Sequence, residues 1–202
     1  MIKPKLPSKK QLLIIGAAIL IVAAAAVIWW QIAPRNNTSS TKQSLFRGAI
    51  KSVLPEEPKS KEFGLMVEKL KINAPVIVDV DGNNEGEYLK AVEKGVAHYQ
   101  DTGLPGKNGN VFIFGHSSYW KWAVGDYKTV FKELDKMEKD DIIIVWYKSV
   151  KYEYKVIEKR IIEATDMSAI SQETDGKKIL SLMTCWPPGT VEKRYLVKAV
   201  LK

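Results

Sequence analysis

Cysteine occurs once in these 202 residues, and histidine twice. A lone cysteine excludes an internal disulfide framework, so packing must hold the fold together. Charge of one sign is also scarce where a domain is expected. The formal net charge is +8, but it sits at one end. Residues 1–62 carry ten Lys and Arg against three Glu, whereas residues 63–202 carry twenty-one basic against twenty acidic residues. A nearly neutral second stretch sets up no strong phosphate-binding field, which argues against nucleic acid as a partner. No internal repeat is visible. The length suits one domain with its own core, plus appendages.

Residues 12–30, LLIIGAAILIVAAAAVIWW, lack any charged or polar aliphatic side chain. At about 1.5 Å per residue, such a run can cross a hydrocarbon layer of about 30 Å. Lys3, Lys5, Lys9 and Lys10 precede it, and Trp29 and Trp30 close it. Basic residues favour the inner side, and tryptophans anchor at the interface. The pattern predicts a cytoplasmic basic segment (1–10), a single transmembrane helix (11–33) in the cell membrane, and an extracellular remainder. A cleavable signal peptide is the competing reading, carried by the alanines at 23–26. Against it, the run is long and meets tryptophans rather than a small-residue cleavage site. Residues 34–62 are polar, contain Pro34, Pro55 and Pro58, and read as a flexible tether.

From Phe63 onward the texture is that of short strands. FGLMVEKLKI and APVIVDV are rich in β-branched residues and nearly alternate. EYLKAVEKGVAHY has helical spacing in its first half and ends near Gly95. VFIFGH is an apolar strand running to His116, and YKTVFKELDKM predicts a short helix. DIIIVWYKSVKYEYKVIEKRIIEA reads as two or three strands with a turn near Lys148–Lys151. KKILSLMTC and RYLVKAVL add two more. Seven to eight strands with few helices predict an all-β barrel or sandwich over residues 63–202.

Cys185 ends one predicted strand, His116 ends another and Arg194 begins a third. These residue types suit acyl transfer: a thiolate attacks a carbonyl, an imidazole protonates the leaving amine, and a guanidinium stabilises the oxyanion. Nine residues separate Cys185 from Arg194, enough for a loop that returns an antiparallel strand beside the first. The bland readings stand beside this one: an inert small hydrophobe at 185, a structural histidine at 116 and a solvated arginine at 194.

The segment around the cysteine resembles the signature of the sortase family of membrane-anchored cysteine transpeptidases. SLMTC is similar to that family's Thr-Leu-x-Thr-Cys strand, with Ser181 replacing the first Thr. CWPPGTVEKR resembles the Cys-to-Arg loop, GVAHYQDTGLPGKNGNVFIFGH the approach to the family's histidine, and MVEKLKINAPVI its opening strand. The resemblance covers about residues 63–202 and implies a sortase-type closed β-barrel. It implies Cys185 as nucleophile, His116 as general acid and base, and Arg194 as oxyanion or substrate stabiliser. Thr184, Leu182 and Trp186 are the expected substrate-binding neighbours, and His98 is a structural or supporting residue behind the site.

The implied substrate is a surface protein with a C-terminal Leu-Pro-x-Thr-Gly-like (LPXTG-like) sorting signal, cleaved between Thr and Gly. The implied acceptor is an amine of a lipid-linked peptidoglycan precursor or of a pilin. No cofactor is implied. Some sortases bind calcium, and Glu163, Asp166, Glu173 and Asp175 precede the cysteine strand without a fixed ligand spacing. Residues 34–62 contain no Asp-Pro-aromatic motif of the kind that forms a lid in pilin-polymerising members. Two other readings stay open: a catalytically inactive sortase-like binding module, and another cysteine acyl-transferase of the cell wall. An L,D-transpeptidase keeps its His-Gly and Arg close to the cysteine, unlike the nine-residue offset here.

Overall fold

A computed structural model of the chain describes residues 56–118 and 125–202, together with Gln31. The predicted anchor therefore lies, apart from Gln31, outside the described residues, as does most of the predicted tether. Among the described residues no helix is long and apolar enough to cross a membrane.

Eight strands form a closed barrel. In chain order they are β1 (Phe63–Val67), β2 (Ile72–Val80), β3 (Val96–Tyr99), β4 (Gly109–Phe114), β5 (Ile142–Tyr147), β6 (Val150–Glu163), β7 (Lys178–Trp186) and β8 (Lys193–Leu201), and the α-helix α1 (Glu85–Lys94) lies between β2 and β3. Around the barrel the order is β1-β2-β3-β4-β7-β8-β6-β5, and β5 closes on β1 in antiparallel pairing. Two neighbouring pairs are parallel, β2 with β3 and β4 with β7. The expected all-β architecture is thus observed, with the upper end of the expected strand count. The single region 142–163 resolves into two strands joined at Lys148 and Ser149, both with positive φ.

The apolar texture of β4 and β7 has a structural cause. Alternate residues of a strand face opposite sides of a sheet. One set, Val111 and Ile113 on β4 and Leu180 and Leu182 on β7, fills the barrel interior with Leu65, Val67, Val145, Val197 and others. On β4 the other set, Phe112 and Phe114, belongs to a second cluster with Met183, Ile162 and Leu196. Covered on both sides, β4 needs a continuous apolar run.

Helix α1 begins at Asn84, whose side chain accepts from the Glu87 amide. This satisfies one of the amides left unpaired at a helix start. Glu85 and Glu87 lie in its first turn and Lys94 in its last, as the helix dipole favours. Ala91 and Val92 are its buried face.

Two expectations are corrected. Residues 127–137 form turns and a single 3-10 turn (Leu134–Lys136), not an α-helix. Phe131, Leu134 and Met137 are each fully buried and stand three residues apart. That spacing matches the three residues per turn of a 3-10 arrangement, and amide-to-carbonyl bonds three residues apart link Leu134 to Phe131 and Met137 to Leu134. The second correction concerns residues 56–62, read as the end of a flexible tether. They are fastened to the barrel. Asn73 on β2 accepts from the Lys59 amide at 2.8 Å and donates to Glu56 Oε1 and to the Glu57 carbonyl, each at 2.9 Å. The Lys61 and Glu62 carbonyls accept from the Ser149 and Lys148 amides at 2.8 and 2.9 Å.

Candidate active site

The hairpin of β7 and β8 brings Cys185 and Arg194 together. They are direct cross-strand partners in the register that also pairs Thr184 with Tyr195 and Met183 with Leu196. Directly opposed residues of an antiparallel pair share a face. Cys185 and Arg194 therefore stand on the outer face of the barrel, with Met183 and Leu196, while Thr184 and Tyr195 point inward. The connecting loop turns at Gly189 (φ 92°), and the Thr190 amide donates to the Pro187 carbonyl at 3.0 Å. Arg194 Nη1 donates to the Val191 and Lys193 carbonyls at 2.9 and 3.0 Å. Nε and Nη2 complete the guanidinium's donor fork.

His116 arrives from the parallel neighbour of β7. Strand β4 ends at Phe114, so the histidine lies two residues beyond the strand rather than at its last position. Its placement still follows the strand's alternation, since 112, 114 and 116 share a parity. Three contacts hold the approach. The Gly115 amide donates to the Met183 carbonyl at 3.2 Å. Thr184 Oγ1 donates to the Gly115 carbonyl at 2.8 Å. The Phe131 amide donates to the His116 carbonyl at 2.9 Å. A Cβ on Gly115 would stand 3.1 Å from Val130 and Phe131 side-chain atoms, so the absence of a side chain lets the 130–131 turn pack close.

Cys185, His116 and Arg194 line one cleft of about 230 Å³, together with Gly82, Tyr88, Val92, Tyr99, Phe114, Gly115, Met183 and Thr184. Its wall is aromatic. Phe114 meets Tyr88 and Tyr99 edge-on, with ring centroids 6.4 and 6.1 Å apart. Cys185 is half-buried and is not in a disulfide. Burial lowers the pKa of His116 below the ordinary histidine value, and the negative charge of Glu93 on α1 opposes that shift. A half-buried thiol, an imidazole kept largely neutral near pH 7 and a guanidinium fork thus face one apolar-walled space. Such a set can attack a carbonyl, deliver a proton and stabilise an oxyanion.

The remaining expected residues fare differently. Thr184 lines the cleft but is only 3% exposed, and its hydroxyl is engaged by Gly115. It ties the histidine segment to the cysteine strand. Leu182, expected at the substrate, is 0% exposed and lies inside the barrel, because its parity is opposite to that of Cys185. Trp186 shares that inward parity. It packs on the barrel core and on Tyr195, ring centroids 5.0 Å apart, and stands outside the residues lining the cleft. Replacing Leu182 with alanine is expected to cost about 2–5 kcal/mol in urea unfolding, the range for emptying a packed core site. A raised KM with unchanged stability would instead return Leu182 to the substrate.

His98 is buried and hydrogen-bonded at both ring nitrogens. It is 1% exposed, and its Nδ1 accepts from the Asp79 amide at 3.3 Å. Nε2 lies 3.0 Å from both the Gly103 carbonyl and Thr102 Oγ1. The tautomer with hydrogen on Nε2 satisfies the ring as a neutral imidazole. Burial lowers its pKa too. Both histidines therefore bind a proton more readily in the unfolded chain than in the folded one. Their stabilising effect is full above about pH 6.5 and is lost as pH falls through their depressed folded values. Melting temperature should decline on acidification below that point, and less steeply in His98→Gln. A melting temperature that stays flat over this range would contradict the assignment.

Two of the acidic residues before β7 have partners within the chain. Glu163 pairs with Lys193 at 3.2 Å, and Asp166 accepts from the Ser168 amide. Among the described residues no three His, Cys, Asp or Glu side chains converge as a metal site would require. The alternation of strand residues pointed to none of the cleft's walls from α1. Tyr88 and Val92, four residues apart on one helix face, were the legible sign of them.

The Sortase domain family model matches residues 65–202. Sortase D of Bacillus subtilis (strain 168) is 26% identical over 162 residues, covering 79% of this chain and 73% of that protein. Sortase C-1 from Actinomyces oris superposes with a TM-score of 0.59 at 20% identity, over 69% of this chain and 73% of that one. The Clostridium perfringens Sortase D5 transpeptidase superposes with a TM-score of 0.57 at 22% identity, over 83% and 90%. The closed eight-stranded barrel, the outward cleft at the ends of β4, β7 and β8, and a family match spanning every strand after the first two residues of β1 lead to one conclusion: this chain belongs to the sortase family.

Proposed function

We propose that the protein is a membrane-anchored cysteine transpeptidase, with Cys185 as nucleophile, His116 as general acid and base, and Arg194 as oxyanion stabiliser. The observation that carries this reading is the register of β7 and β8. It sets Cys185 against Arg194 on one face, in a cleft that His116 also lines. Family membership supports the reaction class.

The substrate is a surface protein ending in an LPXTG-like sorting signal. Cys185 Sγ attacks the carbonyl carbon of the Thr residue, and the negative charge moves to its oxygen, facing Arg194. The carbon–nitrogen bond to Gly then breaks, and the imidazolium of His116 gives its proton to the departing amine. A thioester on Cys185 and a neutral imidazole remain. An amine acceptor, from a lipid-linked cell-wall precursor or a pilin, attacks the thioester while His116 takes its proton. The new amide forms and the thiolate leaves. Water competes at this step, so transfer dominates only where the amine is bound well. A half-buried, apolar-walled cleft favours this outcome by limiting water.

The N-terminal run 12–30 anchors the enzyme, with the basic end in the cytoplasm and residues 34–202 outside. This places the cleft where exported proteins and wall precursors meet.

The test is a mass spectrum of the full chain incubated with a sorting-signal peptide library and candidate amines. The expected result is an adduct on Cys185 carrying the peptide up to its Thr, and an amide product in which the amine replaces Gly. Tight peptide binding with neither adduct nor product would identify an inactive binding module.

A further inference from the structure

We infer that the segment 56–62 is a positioning strap for the His116 segment, and that Lys59 is its working contact. The inference rests on the assignment of His116 as acid and base. Asn73 fixes the strap on one side through the three bonds described above. On the other side Lys59 reaches across the barrel end to Tyr127. Lys59 Nζ donates to the Tyr127 hydroxyl at 3.1 Å and stands 5.0 Å from the centre of its ring. Tyr127 packs against the barrel core, and its carbonyl accepts from the Val130 amide at 3.2 Å. The next residue, Phe131, is fully buried and donates its amide to the His116 carbonyl at 2.9 Å. Val130 and Phe131 also pack against Gly115, the residue before the histidine.

A short, continuous path therefore joins the strap to the backbone of His116: Lys59, Tyr127, the 127–130 turn, Phe131, His116. Each link is a directed contact. The Phe131 amide fixes the height of the His116 backbone, and the turn fixes Phe131. Lys59 is polar, exposed and 68 residues from Tyr127, so nothing in core packing requires this pairing. Its hydrogen bond and its charge over the ring both favour one position of the tyrosine.

Lys59 touches no reacting atom in this account. It acts through Tyr127. The effect expected from an exposed charged contact is small, about two- to fivefold. The test is a double-mutant cycle with Lys59→Met and Tyr127→Phe in the full chain, held in detergent micelles. Each single variant should lower kcat by that factor with KM unchanged, and the double variant should be no worse than either. The chain has only two histidines, so the ring-proton NMR signals separate the site from its internal control. The His116 signal and its titration should move in Lys59→Met, those of His98 should not, and Lys59→Arg should restore both rate and signal. An unmoved His116 signal, additive losses, or losses that merely follow melting temperature would overturn the strap. His116→Ala decides the reading beneath it: if that variant turns over at the wild-type rate, the catalytic assignment fails, whatever the cycle shows.

Discussion

Replacing Cys185 with alanine is expected to abolish the thioacyl adduct, and replacing His116 with alanine to stop turnover while leaving the thiol in place. The two losses differ in kind. Without Cys185 no bond to the substrate carbonyl forms. Without His116 the amine must leave unprotonated, and the lost general acid–base term is worth about 10²–10⁴-fold. His116 is the only histidine lining the cleft, since His98 is buried among the Asp79, Thr102 and Gly103 backbone and side-chain groups.

The productive form requires a thiolate and an imidazolium together. Burial depresses the His116 pKa, so the imidazolium is the minor form near neutral pH. The rate should follow a bell with pH, because one member of the pair must lose a proton and the other gain one. Iodoacetamide alkylation of Cys185 across pH, in wild type and His116→Ala, measures this directly. An alkylation profile unchanged in His116→Ala would show that the two groups do not act as a pair and contradict it. Wild-type turnover in His116→Ala would remove the histidine from the mechanism.

Arg194→Lys is expected to lower kcat by about 10²–10³-fold, or about 2.7–4 kcal/mol, the loss seen when one oxyanion donor is removed from a protease. Lysine keeps the charge and loses the rigid fork. It also loses the pair of bonds from Nη1 to the Val191 and Lys193 carbonyls, which fix the guanidinium against its own loop. The residue is half-exposed near the start of β8, so the fold should survive the change. Circular dichroism and melting temperature matching wild type, with kcat reduced and KM little changed, would assign the loss to the transition state. Near-wild-type transpeptidation would leave Arg194 as a loop anchor alone.

Much of this arrangement was legible before folding. Strand alternation, turn residues and the helical spacing that ends near Gly95 are set by near neighbours in the chain, and most strands lie where an apolar or β-branched run predicts them, whereas β3, four residues with one β-branched side chain, gave no such signal. The nine-residue offset allowed the hairpin that pairs Cys185 with Arg194, because a hairpin's register depends mainly on its own loop. The chain also carries, in its apolar run and flanking charges, the expectation of an anchor.

Other features needed the closed barrel. Leu182 and Cys185 are three residues apart, but only the direction of burial shows that one faces the interior and the other the cleft. The register alone says that they face opposite ways, not which way is in. The region 127–137 has helical composition, but the His116 carbonyl and the barrel core capture Phe131 and draw the segment into 3-10 turns. The bond from Thr184 to Gly115 joins residues 69 apart, and Lys59 meets Tyr127 across 68. No local preference encodes such contacts. They exist because β4 and β7 lie side by side as parallel neighbours and because β2 presents Asn73 to the strap, and both follow from the order in which eight strands close a ring.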